Sequence, residues 1–72
     1  MTISTLSYIH DLLVKENHVE DSMQRTARRV WLDAAENDHP ETEKLHERYN
    51  EAKARYDRAY DALQDFLTHK FH

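Results

Sequence analysis

The 72-residue chain is predicted to be all-α: an antiparallel two-helix hairpin of coiled-coil type, paired with a second copy into a four-helix bundle. Three observations predict this. Apolar residues recur at alternating steps of three and four along two long segments, the spacing of a coiled-coil seam. The chain contains no Gly and a single Pro, so neither segment is interrupted by a helix breaker. The cluster Asn37-Asp38-His39-Pro40 is the clearest turn signal, and it falls between the two segments. A connection that short makes the helices antiparallel neighbours within one domain, residues 1–72.

The first helix is expected over about residues 4–36, with Ser4 or Thr2 as its N-cap, because their hydroxyls accept from the free N–H groups of a first turn. Its heptad seam reads Leu6, Ile9, Leu13, Glu16, Glu20, Met23, Ala27, Val30 and Ala34. The weakest stretch is Asn17-His18-Val19, followed by Glu20 and Asp21. A break there would turn the hairpin into three helices. The turn is expected at residues 37–39, with Asn37 tolerating the left-handed backbone that ends a helix when Gly is absent.

The second helix is expected over about residues 40–69. Pro40 suits its first turn, where the missing N–H is not needed. Asp38 followed by Glu41 has the spacing of a capping box. The seam here is Leu45, Tyr49, Ala52, Tyr56, Ala59, Leu63 and Phe66. Folding the chain about the turn brings together residues whose numbers add to about 79, within a few positions. Ala34 then meets Leu45, Val30 meets Tyr49, Ala27 meets Ala52, Met23 meets Tyr56 and Leu13 meets Phe66. Large side chains mostly oppose small or flexible ones, as close packing requires.

Apolar residues remain outside that seam: Leu12, Val19 and Trp31 beside the first stripe, and Tyr60, Leu67 and Phe71 beside the second. Together they make a band wider than a two-helix contact needs. Two hairpins joined by two-fold symmetry would cover it, so these six residues are the expected interface of a homodimer, and a different partner protein of unknown identity could cover the same surface.

Composition excludes several chemistries. Without Cys there is neither a disulfide nor a thiolate metal site. Without Gly there is no phosphate-cradling loop or dinucleotide fingerprint. The formal charge is −4 at pH 7, and each half of the chain carries an acidic excess, against the basic balance of a nucleic-acid binder. Apolar runs are far shorter than a bilayer span, and no signal-type apolar block is present, so a cytoplasmic protein without a membrane partner is expected. No catalytic constellation and no cofactor motif is apparent, and no enzyme is expected.

Three groups of residues have the chemistry of a site. Glu16 and Glu20 stand where a seam wants apolar residues, so they either fix register, face a wet groove or form a carboxylate metal site. The Glu-x-x-His pair of di-iron bundles occurs as Glu43 and His46, at the opposite end of the hairpin. His69 and His72 are three apart, and the fold-back brings His10 near His69, making these three the candidate ligands of a transition metal. Arg25, Arg28 and Arg29 form a basic cluster, with Arg25 spaced to pair with Asp21 and Arg29 with Asp33. If they shared a face with Arg48, Arg55 and Arg58 in a dimer, they would suit a nucleic-acid backbone.

The opening Met1-Thr2-Ile3 with Tyr8-Ile9-His10, and the closing Ala62-Leu63-Gln64-Asp65-Phe66, resemble short uncharacterised helical-hairpin proteins of Firmicute prophages and mobile elements. The resemblance implies an accessory or regulatory role through protein contacts, and no activity or binding residue. The leading expectation is a non-enzymatic interaction or structural module that self-associates through its apolar faces. The alternatives are a small nucleic-acid-associated regulator using Arg25, Arg28 and Arg29, and a metal-binding helical bundle.

Overall fold

The computed structural model describes residues 2–70. It is an all-α hairpin of helix α1, Ile3–Glu36, and helix α2, Thr42–Lys70, packed against each other along their length. Helix α1 runs without interruption through Asn17-His18-Val19, so the three-helix alternative is not adopted. Thr2 is its N-cap, its hydroxyl accepting from the Thr5 N–H at 3.2 Å.

The turn is built differently from the expected capping box. Asp38, and not Asn37, takes the left-handed conformation, with φ of 51°. The His39 N–H donates to the Ala34 carbonyl at 2.9 Å and the Asp38 N–H to the Ala35 carbonyl at 3.3 Å. This is a Schellman-type ending with aspartate in the place usually held by glycine. Asn37 adds a side-chain bond to the Asp33 carbonyl at 2.8 Å. The entry into α2 is organised by His39: its Nδ1 accepts from the Glu41 N–H at 3.1 Å, and its carbonyl accepts from the Thr42 hydroxyl at 2.6 Å. Asp38 is committed to ending α1, which leaves the capping role to its neighbour, and regular α-helix starts at Thr42 instead of Pro40.

Across the seam, Glu20 meets Arg55, His10 meets Phe66, and Trp31 meets both His46 and Tyr49. The paired numbers add to between 75 and 80, in keeping with the register expected from the turn. Helix α2 buries the predicted stripe: Ala52, Ala59 and Phe66 are buried, and Leu45, Tyr49, Tyr56 and Leu63 are half-buried.

Helix α1 is turned about its axis relative to expectation. Leu6, Ile9, Leu13, Glu20, Ala27 and Ala34 are buried or half-buried as predicted, but beyond Ile9 the alternate positions are Asn17, Gln24 and Trp31, in line with His10, and not Glu16, Met23 and Val30, which are exposed. Each of these three is displaced by one residue, so the buried midline shifts by roughly a seventh of a revolution. The cause is Trp31. Its ring stacks on Tyr49 with centroids 5.5 Å apart and planes 11° apart, and lies 4.3 Å from the His46 ring. An indole brings more apolar area to a contact than valine, so α1 turns to bury Trp31 and leaves Val30 outside.

The rotation predicts which truncations matter. Trp31→Ala is expected to cost about 2–4 kcal/mol of stability, whereas Leu32→Ala, next in sequence but 45% exposed, should cost less than about 1 kcal/mol. Urea denaturation followed by circular dichroism checks both; equal losses would contradict the rotation.

Candidate functional site: an apolar stripe beside a polar seam

The rotation places three successive polar layers at the middle of the intramolecular seam. Asn17, Glu20 and Gln24 all face α2 or its edge and are partly buried. Glu20 is 19% exposed and lies 3.5 Å from the Arg55 guanidinium, which is 42% exposed. The contact is an ion pair without hydrogen-bond geometry, and Glu20 Oε2 is buried without a hydrogen-bond partner among the described residues. The same is true of Asn17 Nδ2. An unsatisfied buried amide or carboxylate oxygen costs free energy that the surrounding contacts must offset. Glu16, the other carboxylate expected in the seam, is exposed.

Displaced from the seam, Met23 and Val30 join Leu12 and Val19 on an outer face of α1. All four are between 46% and 49% exposed. Their spacing continues the three-and-four alternation, with Glu16 and Thr26 filling the intervening steps. Helix α1 therefore carries two stripes side by side, and over its central turns the one facing outward is the more apolar. Where this outer stripe borders α2, an open groove of about 340 Å³ is lined by Ser22, Met23, Thr26, Ala27, Val30, Leu45 and Arg48. Further along, Glu16, Glu20, Arg55, Arg58, Ala59 and Ala62 line a second, more polar hollow of about 260 Å³.

The six residues expected to form an interface are divided by the structure. Leu12 and Val19 lie on the outer stripe, Trp31 is in the intramolecular seam, Tyr60 is 46% exposed and Leu67 is half-buried. Phe71 lies outside the described residues. Met23 and Val30 were missed because the heptad count assigned them to the seam. The discriminating signal was Trp31: stepping back from it by sevens gives Gln24, Asn17 and His10, the observed inner row.

The candidate metal ligands are engaged elsewhere. The His10 ring stacks on Phe66, with centroids 6.4 Å apart, and its Nδ1 is 3.7 Å from Asp11. His69 Nδ1 lies 2.9 Å from both the carboxylate and the carbonyl oxygen of Asp65. His72 lies outside the described residues. His46, paired in sequence with Glu43, is packed on Trp31. Among the described residues, no group of three or more His, Cys, Asp or Glu is placed to hold a metal ion.

Arg25, Arg28 and Arg29 line one shallow hollow with Leu32, and Arg25 is paired with Asp21 at 3.2 Å. Arg48, Arg55 and Arg58 line the two grooves described above and not this hollow. The two arginine groups do not share a surface within one chain. Asp21 is also bonded by the Gln24 amide at 3.0 Å. That hydrogen bond, with the charge of Arg25 and His18, holds the Asp21 carboxyl below its ordinary value, against partial burial that pulls it upward.

Comparison with protein-family models, with curated proteins and with solved structures finds no match to this chain. No helix among the described residues is long and apolar enough to cross a membrane.

Two outcomes follow from this geometry. Replacing Asn17 with Leu removes the unpartnered amide, and should stabilise the fold by about 1–3 kcal/mol. A fall in the urea midpoint would show that the amide is satisfied. Because the Asp21 carboxyl is lowered, its contribution is fully present above the ordinary aspartate value of about 3.9 and disappears as the pH falls through the lowered one. Asp21→Asn should therefore lose less stability than the parent chain on acidification from about pH 5 to about pH 2, measured by denaturation midpoints at each pH.

Proposed function

We propose that this chain is a non-enzymatic interaction module, a cytoplasmic helical hairpin that self-associates through an apolar helix face and acts through the assembly it forms. The observation that carries this reading is the outward stripe of Leu12, Val19, Met23 and Val30 beside a polar seam. A lone hairpin gains least where it packs its polar layers, and leaves in water the apolar side chains that would contribute most. Among the described residues only Ala34, Ala52, Ala59 and Phe66 are buried apolar residues, and three of the four are alanines.

Area supports the same reading. The chain exposes 5738 Å², whereas a compact protein of its 8.7 kDa mass exposes about 4,700 Å². Its radius of gyration is 16.2 Å, against about 11 Å for a compact chain of this length. One broad face of a rod measuring 54 × 15 × 13 Å presents on the order of 800 Å², the area each partner contributes to a standard protein interface. Face-to-face pairing of two hairpins would remove most of the excess and give a four-helix bundle.

Sedimentation equilibrium tests the reading. The parent chain should sediment at about twice its monomer mass at micromolar concentration. Met23→Glu, with a charge introduced on the outer stripe, should shift the population to monomer and weaken association at least tenfold, since a charge buried in such a contact costs well over about 1.4 kcal/mol. A parent chain that stays monomeric and fully folded across the concentration range would overturn it.

A further inference from the structure

The outer stripe has a symmetry that specifies how a second copy sits on it. About position 21, Val19 and Met23 are equidistant, as are Glu16 and Thr26, and Leu12 and Val30. Heptad spacing alone makes the positions symmetric, but it does not make the residue types so. Here apolar mirrors apolar twice and polar mirrors polar once, and the match ends at Ile9 and Asp33. We propose that α1 pairs antiparallel with α1 of a second copy of this chain, across a two-fold axis that meets the outer stripe at the level of Asp21, midway between Val19 and Met23. Val19 then packs on the partner's Met23, and Leu12 on the partner's Val30. This inference rests on the self-association proposed above and deepens it by naming the surface, the direction and the register.

An isologous interface requires a patch complementary to itself under a two-fold rotation. The outer stripe meets that requirement, because rotation about its midpoint superimposes four apolar side chains on four apolar side chains. The alternative, α1 of one copy against α2 of the other, does not fit as well. The α2 side of this face presents Arg48, Arg55 and Arg58, and packing Leu12, Val19 and Met23 on them would desolvate three guanidinium groups, of which Arg55 has Glu20 as its ion-pair partner.

Charge supports the antiparallel register. Arg48 borders the same groove as Thr26. In the proposed pairing Thr26 lies opposite the partner's Glu16, so Arg48 comes level with that carboxylate at the rim of the contact. Glu16 is exposed and is not engaged in any of the ion pairs described above. Two such Glu16–Arg48 approaches, one on each side of the axis, would fix the register that the apolar residues alone leave free to slide.

The absence of Cys from the chain makes a cross-linking test clean. Val19→Cys and Met23→Cys chains are each prepared reduced, checked for retained helicity, mixed in equal amounts and oxidised, with mass measured in parallel by light scattering. The mixed Val19→Cys/Met23→Cys disulfide should dominate over either homodimeric product, while Leu32→Cys, on another side of α1, should cross-link with neither. In a second arm, Glu16→Arg and Arg48→Glu should each weaken association several-fold, and the double variant should restore it. A dimeric mass without the mixed disulfide would overturn the antiparallel α1 pairing and leave self-association standing. A monomeric mass throughout would overturn both.

Discussion

The packing of Trp31 between His46 and Tyr49 is the contact on which the rest of the structure depends. It is the largest aromatic contribution that α1 makes to the seam, and a helix cannot turn one residue inward without turning every residue a heptad away. Bringing Trp31 inward carries Gln24, Asn17 and His10 with it and carries Val30, Met23 and Glu16 outward. The same rotation brings Glu20 to the seam edge, where Arg55 reaches it. Both the polar middle of the hairpin and the apolar stripe beside it follow from one side chain's demand for area.

The energetic consequence is a hairpin that is weak in its middle. A single core of this size supplies little more than about 3–5 kcal/mol even when well packed, and here the central layers include an amide nitrogen and a carboxylate oxygen without hydrogen-bond partners among the described residues. The aromatic contacts between the helices lie toward the ends of the seam, with Trp31 on Tyr49 near the turn and His10 on Phe66 at the other end. A second copy docking on Leu12, Val19, Met23 and Val30 would add apolar burial beside the weakest layers. Polar layers within the chain and apolar residues outside it are the two features that the proposed assembly would compensate.

Much of this fold was legible in the residues themselves. The helix-turn-helix order followed from the absence of Gly, the single Pro and the cluster at Asn37–Pro40, and the α2 seam was read in full because Leu45 through Phe66 offers one unambiguous stripe. The turn was misread in detail: Asn37 and Asp38 are both suited to left-handed backbone, and local composition does not rank them. In α1 the heptad period was correct and its phase was not. Leu6, Leu13, Glu20, Ala27 and Ala34 belong to both phases, so counting apolar residues favours Met23 and Val30, whereas partner packing favours Trp31. Phase on an ambiguous helix is decided by the opposing surface, which a one-dimensional pattern does not contain. The candidate site was half visible for the same reason: Leu12 and Val19 stood out as surplus, while Met23 and Val30 were hidden in a seam they do not occupy.

If folding and assembly are coupled in this way, stability is a function of protein concentration, because mass action favours the state that buries the outer stripe. The thermal midpoint followed by circular dichroism from about 1 μM to about 1 mM tests this most directly. It is expected to climb by several degrees for each tenfold increase in concentration. A midpoint that holds constant over that range would contradict it, and would show that the hairpin is stable with Leu12, Val19, Met23 and Val30 left in water.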